Sequence, residues 1–95
     1  MLSNGKLLYE SILQNHSTVH WSSRDFIDFI EYFKFIDAPF MASLDGAYNS
    51  LSSRQYLFLI VTGKMGKSEV DAGDILGISP GSVRSIKSRI KTKKK

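Results

Sequence analysis

The sequence predicts an all-α protein of five to six helices, in which a helix-turn-helix is preceded by two to three short helices. Three observations predict it. Apolar residues recur at intervals of three and four along most of the chain. Serine or aspartate stands immediately before most of these runs, where a helix needs a cap. Near the C-terminus, "DILGISPGSVRSIKSRIKTKKK" sets a glycine and a Ser-Pro-Gly between two apolar patterns, and every charge after the break is positive.

Taken in order, Lys6 to Gln14 carries Leu7, Leu8, Ile12 and Leu13, a short amphipathic helical pattern. A linker with His16 and His20 follows, so residues 1–20 read as an N-terminal helix and linker. Next, Phe26, Phe29, Ile30, Phe33 and Ile36 form one stripe, with Asp28, Glu31 and Lys34 off it. Ser22 and Asp25 have the spacing of a capping box, in which hydroxyl and carboxylate satisfy backbone N–H groups left open at a helix start. Asp37 followed by Pro39 opens another helix, with Phe40, Leu44 and Tyr48 apolar and an end near Asp45-Gly46. Residues 21–50 thus form an aromatic lead-in, expected to pack Phe29, Phe33, Phe40 and Leu44 onto a helix over 53–62.

That helix is capped by Ser52 with Gln55, and Leu51 is placed to staple against Tyr56. Leu57, Ile60 and Val61 supply its buried face, and Gly63 is expected to end it. After Gly66, Ser68 caps a helix through Leu76, Gly77 ends that helix in the left-handed conformation, and Ser79-Pro80 opens the last one. Residues 51–92 make up the helix-turn-helix unit, and residues 93–95 a basic tail.

Ninety-five residues at 42% hydrophobic composition suit one domain with one core. The chain has no cysteine, which excludes disulfides, thiolate metal sites and cysteine nucleophiles. The longest apolar run, Tyr56 to Val61, is far short of the ~20 residues that cross a bilayer. The opening Met-Leu-Ser-Asn-Gly-Lys lacks the apolar core of a signal peptide, so the chain reads as soluble and cytoplasmic. His16 and His20 lack a third ligand, and the pairs Asp25/Asp28 and Asp71/Asp74 lie at helix starts, where the helix dipole favours carboxylates. No nucleophile–base pair or phosphate loop occurs. The expectation is a non-enzyme without cofactor or metal.

Charge divides the chain. Up to Ser50 there are three basic against six acidic residues, and from Leu51 ten against three. A polyanion therefore meets the C-terminal half. With Glu69 as position one of a helix-turn-helix, Ala72 falls at four, Gly73 at five, Leu76 at eight, Gly77 at nine, Ile78 at ten, Val83 at fifteen and Ile86 at eighteen. A small residue at five lets the helices approach, glycine at nine takes positive φ, and the aliphatic positions join the two helices.

Val83, Ile86 and Ile90 inward leave Gly81, Arg84, Lys87, Ser88 and Lys91 on a face without an acid. Arginine can grip guanine edges or phosphate, and lysine and serine can reach phosphates. The candidate DNA contacts are Ser79, Gly81, Ser82, Arg84, Ser85, Lys87, Ser88 and Lys91, flanked by Arg54 and Lys67. An ordinary helical hairpin is the plainer alternative. A helical interaction module, or a sigma-region-like domain touching RNA polymerase through its aromatic half, is the other. A membrane-surface helix is disfavoured by the small, non-aromatic exposed face.

The stretch from Leu51 to Lys91 resembles the LuxR/GerE-type DNA-binding domain, with Leu51, Ser52, Arg54, Leu59, Gly63, Leu76, Ile78, Ser79, Ser82, Val83 and Ile90 on matching positions. Upstream, Trp21, Phe29, Phe33, Pro39, Phe40, Leu44 and Tyr48 resemble the aromatic lead-in of Bacteroidetes-type regulators. The sequence departs from the pattern at Gln55, at Asp71-Ala72-Gly73 and at Ile86, has one residue more than usual between Gly63 and Ser79, and lacks the usual dimerising helix. The resemblance implies a bacterial transcription regulator that binds double-stranded DNA with residues 80–91 in the major groove. It also implies a partner: an upstream sensor domain, or a second copy in a weak homodimer.

Overall fold

The computed structural model describes residues 4–95, so the first three residues of the expected N-terminal segment lie outside it. The described residues form α1 (Gly5–Leu13), α2 (Ser23–Ile36), α3 (Ala38–Ala47), α4 (Ser53–Leu59), α5 (Glu69–Leu76) and α6 (Pro80–Thr92), and no strand. None of these helices is long and apolar enough to cross a membrane.

The caps follow the local chemistry of the sequence. Ser22 Oγ accepts from Asp25 N at 3.2 Å while Asp25 Oδ2 accepts from Ser22 N at 3.0 Å, and Ser52 with Gln55 forms the same reciprocal pair. Asp37, Ser68 and Ser79 cap α3, α5 and α6 through their side-chain oxygens. Each such cap is worth ~1 kcal/mol. Asp37 does more, because its second oxygen takes the Lys64 ammonium at 2.9 Å. That hydrogen bond holds the Asp37 carboxyl below its ordinary pKa and ties the α2–α3 corner to the turn that follows α4.

One core holds the chain together. Phe29, Phe33, Leu57, Ile60, Val61, Ile75 and Met41 are nearly inaccessible, and Ile12, Ala72, Leu76, Val83 and Ile90 join the same cluster. α2 is its axis, with α1, α3 and α4 packed around it and α5 reached through α4. Tyr9, Trp21 and Phe40 put rings within 5.6–6.5 Å of Phe29 or Phe33. The expected packing of Phe29, Phe33 and Leu44 into a core shared with α4 is present, with Phe40 half-buried beside Gly63.

Four expectations are corrected. Gly63 does not end α4: the chain passes into a π-helical turn over Ile60–Lys64, where Met65 N donates to Ile60 O at 3.0 Å, five residues back. Gly66, at φ 68°, is the glycine that turns the chain out. Asp28 is not on the solvent side of α2; α1 lies across it, so it is 6% exposed and paired with Arg24 Nε at 3.1 Å.

The segment between α1 and α2 is not a bare linker. Thr18 is buried, and both its N–H (2.6 Å) and its hydroxyl (2.9 Å) donate to the carbonyl of Ile75. Nor are the last lysines a free tail. Lys93 Nζ donates to Ser50 O at 2.9 Å and Gln55 Oε1 at 2.8 Å, Lys95 Nζ donates to Asp45 O at 3.0 Å, and Lys94 bridges to Tyr48.

Gly77 takes φ 68°, as its place between two caps requires, and a Cβ there would stand 3.3 Å from Val19 Cβ. A β-branched side chain is strained in that region. Gly77→Val is therefore expected to cost ~1–3 kcal/mol in urea denaturation, and Gly77→Asn clearly less; equal midpoints for Gly77→Val and the parent would contradict the turn. Thr18→Val removes the hydroxyl donor to Ile75 and should lower stability by ~1 kcal/mol, with Thr18→Ser retaining most of it.

A third prediction concerns pH. The Tyr56 hydroxyl donates to Asp45 Oδ1, and this bond, helped by burial, pushes the phenol up to about 12. Its contribution to stability is complete below the ordinary phenol value of 10.0 and is lost as pH rises through about 12. Phenolate absorbance should show a component with a midpoint near pH 12 that is absent from Tyr56→Phe, and between these pH values Tm should fall more steeply for the parent than for the variant.

Candidate nucleic-acid interface

α5 and α6 are joined by Gly77, Ile78 and Ser79 alone. Ala72, Gly73, Leu76 and Val83 are buried at the contact between them, and Ile78 and Ile86 are half-buried. Gly73 sits at the closest approach: a Cβ there would lie 3.1 Å from Val83 Cγ2 and 3.4 Å from Ile78 O. The turn is held from outside, since Ser17 and Val19 lie against Gly77 and Thr18 binds the Ile75 carbonyl. The start of α6 is therefore set by α5 and by the segment that precedes α2, and its end is held by the docking of residues 93–95 on residues 45–55.

α6 starts with Ser79 Oγ accepting from Ser82 N at 3.3 Å and with Pro80 at its first turn. Its thirteen residues extend about 20 Å. Val83 and Ile90 are buried, which turns Arg84, Ser88 and Lys91, at spacings of four and three, toward solvent. Ser82, Ser85 and Arg89 make a second exposed line. Gly81 is exposed, and the space above it is open except for Ser79 Oγ at 3.9 Å. The Ser85 hydroxyl is turned back onto Gly81 O at 3.2 Å. Among the described residues Arg84, Arg89 and Lys91 have no acidic partner. Arg89 was absent from the residues singled out in the sequence, although its spacing of four from Ser85 places it on this surface.

Three of the candidate cations stand elsewhere or are engaged. Lys87 is ion-paired with Glu69, the first residue of α5, at 2.6 Å. Arg54 lies over the Phe26 ring at 5.9 Å, in a depression lined by Trp21, Ile27 and Ser52. Lys67 donates to Asn15 Oδ1 at 2.5 Å, beside a groove lined by Tyr9, Leu13, Ile36 and Met65. Neither depression has a residue of α6 in its wall. The arrangement gathers Ser79, Gly81, Ser82, Arg84, Ser85, Ser88, Arg89 and Lys91 on one helix and leaves Arg54 and Lys67 apart from it.

Beside this helix runs a cleft of about 300 Å³ between α5 and α6, with Val70, Gly73, Ile78, Pro80 and Val83 as its apolar lining. Glu69 and Asp74 stand on the α5 rim, and Arg84 and Lys87 on the α6 rim. The surface is thus divided by sign, acid on α5 and base on α6. A polyanion is attracted to the α6 side and repelled from the α5 side.

Comparison with known proteins adds no relative: no family model, no curated protein and no solved structure matches this chain.

Proposed function

We propose that the chain is the DNA-binding part of a bacterial transcription regulator, in which α5 and α6 form a helix-turn-helix of LuxR/GerE type and α6 enters the major groove of a duplex. The observation that carries this reading is the outer face of α6. It has Arg84, Ser88, Arg89 and Lys91 exposed along about 20 Å of helix, no acid between Pro80 and Lys95, and an opposite face fixed in the core by Val83 and Ile90. Such a helix fits a groove about 12 Å wide, with arginine suited to guanine edges and lysine and serine to phosphates.

Arg84 is the base reader and Lys91 a phosphate contact. Ser79, Gly81 and Ser82 offer hydroxyl and backbone groups to the phosphates at the N-terminus of α6, where the helix dipole favours negative charge. Arg54 and Lys67 act only as outlying charges. A single copy neutralises few phosphates, so a partner domain or a second copy is needed for tight binding at physiological salt.

The reading is tested by fluorescence anisotropy on random and selected duplexes at several salt concentrations. Because Lys93 and Lys95 are docked, the chain is kept whole and only Lys94→Gln is introduced, to remove the exposed terminal charge. Arg84→Ala should relax preference at one base step by ~1–3 kcal/mol. Lys91→Ala should weaken all sequences alike and reduce the salt slope by about 0.9. Absence of duplex binding at low salt, or a selected site indifferent to Arg84→Ala, would overturn the reading.

The interaction-module reading is favoured by a separate observation. Phe35 is 85% exposed on α2, and Leu7, Leu13 and Ile36 are exposed as well. Capture of RNA polymerase that is lost in Phe35→Ser and retained in Arg84→Ala would select that alternative.

A further inference from the structure

We propose that Glu69 is a negative determinant of duplex binding, acting by holding the Lys87 ammonium across the mouth of the α5–α6 cleft and so withholding it from phosphate. This rests on the DNA-binding reading above and specifies which part of α6 the duplex uses. Four observations carry it.

Lys87 and Glu69 are 2.6 Å apart, whereas Arg84, Arg89 and Lys91 have no acidic partner among the described residues. Lys87 stands one turn from Arg84 and from Lys91, so a free ammonium there would extend the same basic surface. Both partners are about half exposed, at 47% and 53%, so the pair adds little to the fold and its loss leaves the protein folded. Asp74 stands on the same rim of the cleft as Glu69, so the field on that side turns phosphates away. The duplex is therefore confined to the Arg84, Ser88 and Lys91 line, with Arg89 beyond it, and α5 stays off the phosphate backbone.

A phosphate that competes for Lys87 must break the pair with Glu69 and then lie beside the freed carboxylate. On an arbitrary duplex nothing compensates for that. The pair thus lowers generic attraction to polyanions while leaving Arg84 free to read bases.

The test uses the full-length chain and a mixed-sequence duplex of twenty base pairs, with affinity measured by anisotropy at four salt concentrations. The variants are Glu69→Gln, Lys87→Gln, the double variant and Asp74→Asn, each checked for folding by circular dichroism. Glu69→Gln is expected to tighten low-salt binding several-fold and to steepen the salt slope by about 0.9, the value for one added phosphate contact. In the double variant the added slope should vanish. Asp74→Asn removes a repelling charge without freeing a lysine, so it should tighten low-salt binding by less than Glu69→Gln, and that gain should fade as salt screens the charge. An unchanged slope in Glu69→Gln, or an added slope that persists without Lys87, overturns the inference and leaves the DNA-binding reading standing. Absence of duplex binding in every variant overturns both.

Discussion

The interdigitated rings on α2 are the contact on which the rest of the molecule depends. Phe29 and Phe33 are almost wholly buried, the rings of Tyr9, Trp21 and Phe40 pack stacked, tilted or edge-on around them, and Phe26 packs edge-on against Trp21. Burial of each large side chain contributes ~1.5–3 kcal/mol, and each well-placed aromatic pair adds ~0.5–1.5 kcal/mol. The C-terminal helices cannot supply this themselves. α5 and α6 offer the core mainly Ala72, Ile75, Leu76, Val83 and Ile90, and α6 has most of its surface in solvent. The rigid aromatic half lets α6 remain so polar.

Electrostatics is arranged on the same division of labour. On the N-terminal side, charges pair locally, as with Arg24 and Asp28, or join elements, as with Lys64 and Asp37. At the C-terminal end Lys93 and Lys95 are taken up by carbonyls and by Gln55. Among the described residues, Arg84, Arg89 and Lys91 on the outer lines of α6 have no acidic partner. The excess of base over acid from Leu51 onward therefore overstates the charge available to a ligand, because several of its lysines are engaged within the fold.

What could be read from the sequence was what depends on neighbours in sequence. Ser22 and Asp25, Ser52 and Gln55, Asp37, Ser68 and Ser79 cap their helices because the donor and acceptor lie within three residues. The Phe26 to Phe33 stripe was legible for the same reason, and so was Gly77. Most of the misreadings involve partners distant in sequence. Asp28 is buried only because α1 crosses α2, and Lys87 is paired only because α5 brings Glu69 to it. Thr18 finds its acceptor at Ile75, and Lys93 finds Gln55. Gly63 and Gly66 are equally plausible stops by type, and the wider π turn decides for the second. For the candidate interface, the α6 face followed from helical spacing, whereas the separation of Arg54 and Lys67 from it required the fold.

The two bonds from Thr18 to Ile75 span 57 residues of chain. A contact so distant repays its loop closure only after both ends are ordered, so it forms late in folding. The same bonds shield the Thr18 amide, which is buried although it lies in a stretch without regular structure. Its deuterium uptake then follows opening of the aromatic half from α5 rather than fraying of a helix end. A slowly exchanging amide between two helices is thus a spectroscopic marker of whether the two halves move as one cooperative unit.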